Sequence, residues 1–101
     1  MKITIITVCY NSAATLEKTI LSVANQTYKN IEYIVVDGNS NEGTLELIKK
    51  HEDKISKWIS EPDHGLYDAM NKGLALATGD LIGILNSDDT FYSSTVIAEI
   101  A

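Results

Sequence analysis

Two carboxylates stand side by side at Asp88 and Asp89, directly after the apolar run Leu81, Ile82, Ile84, Leu85 and the polar Asn86 and Ser87. Adjacent like charges repel, and burial raises that cost unless a positive group lies between them. A hard divalent cation answers the need. Mg2+ and Mn2+ prefer oxygen ligands and take one or two protein carboxylates, with phosphates and water completing the shell. One carboxylate then faces the ion while its neighbour accepts hydrogen bonds from a hydroxyl, such as that of a sugar. The pair suits equally the N-terminus of a helix over TFYSSTVIAEI, where Asp is favoured by capping and by the helix dipole. Taken alone, it does not separate the two readings.

Other residues offer complementary chemistry. Tyr10 presents a flat ring on which a nucleobase can stack, a contact contributing roughly 1–3 kcal/mol per base; the plainer role is packing over the following helix. Asp37, in VVDGNS, accepts only when ionised, which suits the ring N–H of a uracil or thymine. Its plainer role is an Asx turn. Singly, each residue favours the plainer role. Together they supply a base platform, a base reader, a ribose acceptor and a metal ligand. No Gly-x-Gly-x-x-Gly follows the first strand, whose turn TVCYNSAAT lacks glycine, and there is no Walker loop. A diphosphate would therefore be held through a metal rather than in a glycine-rich backbone cradle.

The elements that must position these residues follow from periodicity. KITIITV (2–8) is β-branched and apolar throughout, as expected of a central strand covered on both faces. SAATLEKTILSVANQ places Leu16, Ile20, Leu21 and Ala24 at helical spacing, with Asn11 or Ser12 as N-cap. NIEYIVVDG (30–38) reads as a second strand, EGTLELIKKHED as a second helix with Leu45 and Ile48 inward, and KISKWIS (54–60) as a third strand. Gly65 opens a third helix with Leu66, Met70 and Leu74 on one side; DLIGILN (80–86) is a buried fourth strand, and STVIAEIA begins a further helix. Such alternation implies a parallel sheet of βαβ units, with ligands outside the carboxyl ends of the strands. Tyr10 and Asn11, Asp37, Glu61 and Asp63, and Asp88 and Asp89 each follow one strand, so one rim is expected to gather them.

Composition limits the classes. The chain has 101 residues, 45% hydrophobic and 22% charged, which fits one soluble α/β domain at most. The single cysteine, Cys9, lies within an apolar strand, so neither a disulfide framework nor a Cys/His metal site is expected, and a reducing intracellular compartment is the default. No apolar stretch approaches the ~20 residues of a membrane span, and no signal peptide is apparent. Residues 1–60 hold seven acids and seven lysines, whereas residues 61–101 hold seven acids against Lys72 alone. The net charge of −6 thus sits in the last two-fifths, the wrong sign for a nucleic-acid partner and compatible with a bound cation or with a solvated acidic face.

The stretches TVCYNSAATLEKTILSVANQTYKNIEYIVVDGNSNEGT and DHGLYDAMNKGLALATGDLIGILNSDD resemble the N-terminal, nucleotide-binding part of family 2 glycosyltransferases of GT-A fold, in particular bacterial enzymes of cell-surface polysaccharide assembly. The resemblance implies a Rossmann-like, mostly parallel sheet with flanking helices. It also implies inverting transfer of a hexose-type sugar from a nucleotide-diphospho-sugar, a UDP-sugar, to a saccharide or lipid-linked saccharide acceptor. Tyr10, Asn11 and the backbone at Val8 would border the base, Asp37 would bind its ring N–H, Asp88 the ribose and Lys72 the diphosphate. Asp89 would hold the divalent metal, Mn2+ or Mg2+. Residues 1–101 would then be the donor-binding part of one truncated GT-A domain. Its acceptor half and catalytic base would lie beyond Ala101, its unpaired sheet edge would invite self-association, and it would be cytoplasmic, peripheral at the inner membrane face in the full-length protein.

Three positions depart from the family pattern: Val8-Cys9 stand for Pro-Thr, Glu42 for Asp in the turn after Asp37, and Asn86 for the first Asp of an Asp-rich motif. The last makes Asp89 the metal ligand. Two further readings stand beside this one: a nucleotide- and metal-binding module without transfer activity, and a βα phosphotransfer domain, which the position of the paired acids after the fourth strand disfavours.

Overall fold

Every residue of Ile3–Cys9 is buried, as a strand must be when it has neighbours on both edges and layers on both faces. We call this strand β1. With β2 (Ile31–Asp37), β3 (Lys57–Ser60) and β4 (Leu81–Ile84) it forms a parallel sheet of order β3-β2-β1-β4. The structure, a computed structural model, describes residues 1–10, 13–38, 43–62, 65–86 and 97–98. Helices α1 (Ala13–Ala24), α2 (Thr44–Lys50) and α3 (Leu66–Leu76) alternate with the strands as expected.

The period-2 alternation of side chains divides β1 and β2 between two cores. Ile3, Ile5, Tyr33 and Val35 pack with Leu16, Ile20 and Val23 of α1, Ile48 of α2, and Ile97. Ile6, Val8, Ile34 and Val36 point to the other side and meet Ala69 of α3. Chain order runs outward from β1 to β3 and then jumps back across β1 to β4. The strand order therefore reverses between β1 and β4, where a crevice opens at the carboxyl ends of such sheets.

Four local expectations differ. The inner face of α1 is Leu16, Thr19, Ile20 and Val23, turned from the expected stripe, with Leu21 and Ala24 only half-buried. The second helix is shorter, because Glu52–Lys54 form a 3-10 turn and the third strand begins only at Lys57. Leu74 is 42% exposed; the inward residues of α3 include Ala69 and Gly73, small enough for the helix to lie close on the sheet. The fourth strand is an edge strand, not a buried one: Leu81, Ile82 and Ile84 are each at least 40% exposed. The expected N-cap of α1 lies outside the described residues, as does most of the last expected helix, of which residues 97–98 are helical.

A buried polar knot sets where β4 begins. Glu32, 7% exposed, accepts hydrogen bonds from the Thr4 hydroxyl (2.9 Å), the Thr78 amide (2.8 Å) and the Thr78 hydroxyl (2.9 Å), and pairs with Lys57 (3.1 Å). The Gly79 amide donates to Thr4 Oγ1 at 2.9 Å. Immediately afterwards the Asp80 amide donates to the Lys2 carbonyl at 2.7 Å, and the Lys2 amide to Asp80 Oδ2 at 2.9 Å.

Candidate functional site

Parallel register assembles the site. Cys9 pairs with Asp37, and Asp37 with Ser60. The last residues of three adjacent strands therefore form one row, with their side chains on the same face. Backbone bonds extend the alignment past the strand ends, from the Gly38 amide to the Cys9 carbonyl (2.9 Å) and from the Glu61 amide to the Asp37 carbonyl (3.0 Å).

Asp37 lies at the centre of the row and is fully buried. The Ser60 hydroxyl donates to its Oδ2 at 2.7 Å, and the Cys9 thiol lies 3.5 Å from its Oδ1 and 3.7 Å from the Val36 carbonyl oxygen. Burial first, and then the neighbouring Asp37 charge and hydrogen bond, push the Cys9 thiol far above its ordinary pKa. It therefore stays protonated and serves as a donor rather than a nucleophile.

One residue past β1, Tyr10 is 62% exposed and lies outside both cores. The Val8 side chain is buried in the α3-side core, so only its backbone is available to border a ligand. Gly65 starts α3 with φ +110°, a conformation L side chains rarely adopt, and its carbonyl accepts from the Ala69 amide at 3.2 Å. About two turns along α3, Lys72 is gripped by Glu61 (3.2 Å), Asp68 (3.5 Å) and the Pro62 carbonyl (2.8 Å). Partial desolvation draws its pKa down, but Glu61 and Asp68 outweigh this and hold the ammonium above its usual value. Lys72 thus ties the connection after β3 to α3.

On the other side of β1, the Leu85 amide donates to the Ile6 carbonyl at 2.9 Å, and β4 brings the chain toward the same rim at Asn86. The structure therefore gathers Tyr10, Asp37 and Glu61 at one end of the sheet, as strand order required. Asn11, Asp63, Asp88 and Asp89 lie outside the described residues. Among the described residues no three of His, Cys, Asp or Glu cluster to hold a metal, and no helix is long and apolar enough to cross a membrane. Ser60 and Cys9 were missed as partners of Asp37. The signal was available, since each closes a strand in register with it.

Residues 4–99 match the model of glycosyl transferase family 2. The chain belongs to this family. A glycosyltransferase of Mycobacterium tuberculosis, itself uncharacterised, is 41% identical over 98 residues, which are 96% of this chain and 37% of the relative. The chain thus spans little more than a third of the length of that relative. Among solved structures, residues 1–349 of S. aureus TarS in complex with UDP-GlcNAc superpose with a TM-score of 0.89 at 25% identity, covering 99% of this chain and 30% of that one. The mannosyltransferase PcManGT of Pyrobaculum calidifontis, in complex with GDP-Man and Mn2+, gives 0.85 at 25% identity, covering 92% and 29%. The family 2 chain therefore has the α/β architecture of the GT-A glycosyltransferases. These two neighbours were solved with different nucleotide sugars, UDP-GlcNAc and GDP-Man.

Proposed function

We propose that this family 2 chain forms the donor site of a glycosyltransferase that takes a sugar from a nucleoside diphosphate, with uridine as the nucleoside. The observation that carries this is the alignment of strand ends at one end of the sheet, where Asp37 closes β2 in register with Cys9 and the exposed Tyr10 follows Cys9 on β1, the strand beside which strand order reverses. In this reading the base stacks on Tyr10 against the backbone at Val8 and Asn11, and its ring N–H donates to Asp37. Asp88 accepts from the ribose. Lys72 reaches the diphosphate only by exchanging Glu61 or Asp68 for a phosphate oxygen, which makes its role a conditional one.

Asp88 and Asp89 supply hard carboxylate oxygens suited to Mn2+ or Mg2+, and Asp89 is the proposed ligand. When bound, such an ion supplies Lewis-acid neutralisation of charge on the diphosphate. The reaction is an inverting displacement. An acceptor hydroxyl oxygen bonds to the anomeric carbon, the bond from that carbon to the diphosphate oxygen breaks, and a general base removes the hydroxyl proton. No acid within residues 1–101 is assigned as that base. The acceptor in this reading is a saccharide or lipid-linked saccharide of the cell surface.

Calorimetric titration of UDP, with Mn2+ and with EDTA, tests the donor site beside an Asp89→Asn variant. Binding is expected to require metal and to weaken at least tenfold in the variant, as removal of a direct metal ligand should. Metal-independent binding that the variant leaves intact would relegate Asp88 and Asp89 to a helix cap.

A further inference from the structure

We propose that Gly79, packed against Thr4, is a positioning residue: it locks the register of β4 on β1 and so sets where the chain delivers Asp88 and Asp89. The lock is built from residues 2–4, 32 and 78–80. Its effect on nucleotide binding rests on the reading above, in which those two acids meet ribose and metal.

Strand β4 has little of its own to fix its register. It has four residues, Gly83 lacks a side chain, and Leu81, Ile82 and Ile84 are each at least 40% exposed. Register is strongly specified where a slip would carry apolar side chains from a buried face to solvent. Burial on β4 is too slight to impose that.

The residues just before β4 supply what the strand lacks. The Thr78 amide and hydroxyl both donate to Glu32, the Gly79 amide donates to Thr4 Oγ1 at 2.9 Å, and the Asp80 amide donates to the Lys2 carbonyl at 2.7 Å. Thr4 Oγ1 in turn donates to Glu32 Oε1 at 2.9 Å, so one hydroxyl joins β1, β2 and the approach to β4. Three consecutive residues thus each have their own partner, and a slip unmatches all three. Space makes the match exclusive. A Cβ at Gly79 would stand 2.4 Å from Thr4 Oγ1 and 2.7 Å from the Thr4 backbone nitrogen. Thr4 is fully buried in the enclosed strand β1 and cannot retreat. A slip of one residue in either direction brings Thr78 or Asp80 to that point, and both carry the Cβ that does not fit. Glycine is needed here for closeness of approach rather than for an unusual backbone angle.

The lock lies at the amino end of the sheet. Thr4 and Cys9 are separated along β1 by about 16 Å, at roughly 3.3 Å per residue, so a substitution at the lock touches no residue of the donor site. Each residue of slip nevertheless carries the following chain about 3.3 Å along the sheet. Metal ligation tolerates only about 0.2 Å, so a slip is read as a raised demand for metal. Loss of general stability would lower the bound fraction without changing that demand.

The test joins two measurements. Nuclear Overhauser contacts between Ile3 and Leu81 and between Ile5 and Gly83 report the β1–β4 register, and calorimetric titration of UDP over a series of Mn2+ concentrations reports the demand for metal. Gly79→Ala should lose those contacts and raise the Mn2+ needed for half-maximal UDP binding at least tenfold, the range seen when groups that orient a metal ligand are lost. If Gly79→Ala does not fold, Thr4→Val takes its place, keeping the shape while removing the hydroxyl, and should move both readouts the same way. Thr4→Ser, which keeps the hydroxyl, should leave both near the wild type. Wild-type contacts in the folded Gly79→Ala or Thr4→Val protein overturn the lock. Lost contacts with an unchanged Mn2+ requirement overturn its positioning role. A wild type that binds UDP without metal removes the donor-site reading and that role together, while the register contacts still decide the lock.

Discussion

Glu32 carries its charge where water scarcely reaches, and its neighbours decide whether that is tolerable. Burial alone would raise its pKa, but hydrogen bonds from the Thr78 amide, the Thr4 and Thr78 hydroxyls and Lys57 outweigh it and lower the value from 4.5 to about 2. A carboxyl depressed on folding binds its proton more readily in the unfolded chain. Its contribution is therefore complete above about pH 5 and is lost as pH falls from there through the folded value. Glu32→Gln should cost about 1–3 kcal/mol at pH 7. Its melting temperature should also fall less steeply than the wild type's between pH 5 and pH 2. Parallel slopes would assign acid lability to other carboxylates. At this scale, Asp37 and Tyr10 stand at the strand ends where the sequence put them, whereas Asp88 and Asp89 lie outside the described residues. Ser60, Cys9 and Thr78 act only as partners. A serine or threonine hydroxyl acquires a role only once strand register names what lies beside it.

Helix α3 approaches the sheet as closely as its residues permit. A Cβ added at Gly73 would stand 2.6 Å from Ile6 Cγ2 and 3.4 Å from Val36 Cγ2, both on stiff β-branched side chains in the core. Exchanging glycine for alanine in a helix gains ~1 kcal/mol of propensity, while overpacking a core costs about 1–3 kcal/mol. The second effect is the larger here, because neither Ile6 nor Val36 has room to swing aside. Gly73→Ala should therefore lower the midpoint of urea unfolding, and an unchanged or higher midpoint would show that α3 rides farther from β1 than described. The alternation of strands and helices was legible because hydrophobic period is a local property. The face that α3 buries was legible only in part: Met70 packs on the core as expected, but Leu74 is exposed and the closest approach to the sheet is made at Gly73, whose advantage is lack of bulk. The edge position of β4 was equally hidden. An apolar run reads alike at the centre and the margin of a sheet, and only the pairing of β1 with β2 and β4 distinguishes them.

For the molecule as a whole, burial falls outward from β1 and β2, fully or almost fully enclosed, to β4, whose residues are half-buried or exposed. Local opening is easiest where few buried contacts must be broken. Hydrogen exchange should accordingly be slowest for amides of β1 and β2 and fastest, among the strands, for β4; equal protection across the four would mean that β4 is covered in solution. The overall α/β class, the parallel sense and the shared rim were all legible, because βα alternation leaves few topologies open. Strand order has a further effect, felt while the chain is being made. Ile3 is the register partner of Leu81, so almost the whole of this sequence must leave the ribosome before β1 acquires its second neighbour. Until then the first sixty residues can join β1 to β2 and β3 with the opposite margin of β1 bare, apolar and unpaired. Such long-range parallel closure is slow, and an open strand margin is prone to wrong partners. The newborn chain is thus most in need of shielding just before residues 81–84 emerge.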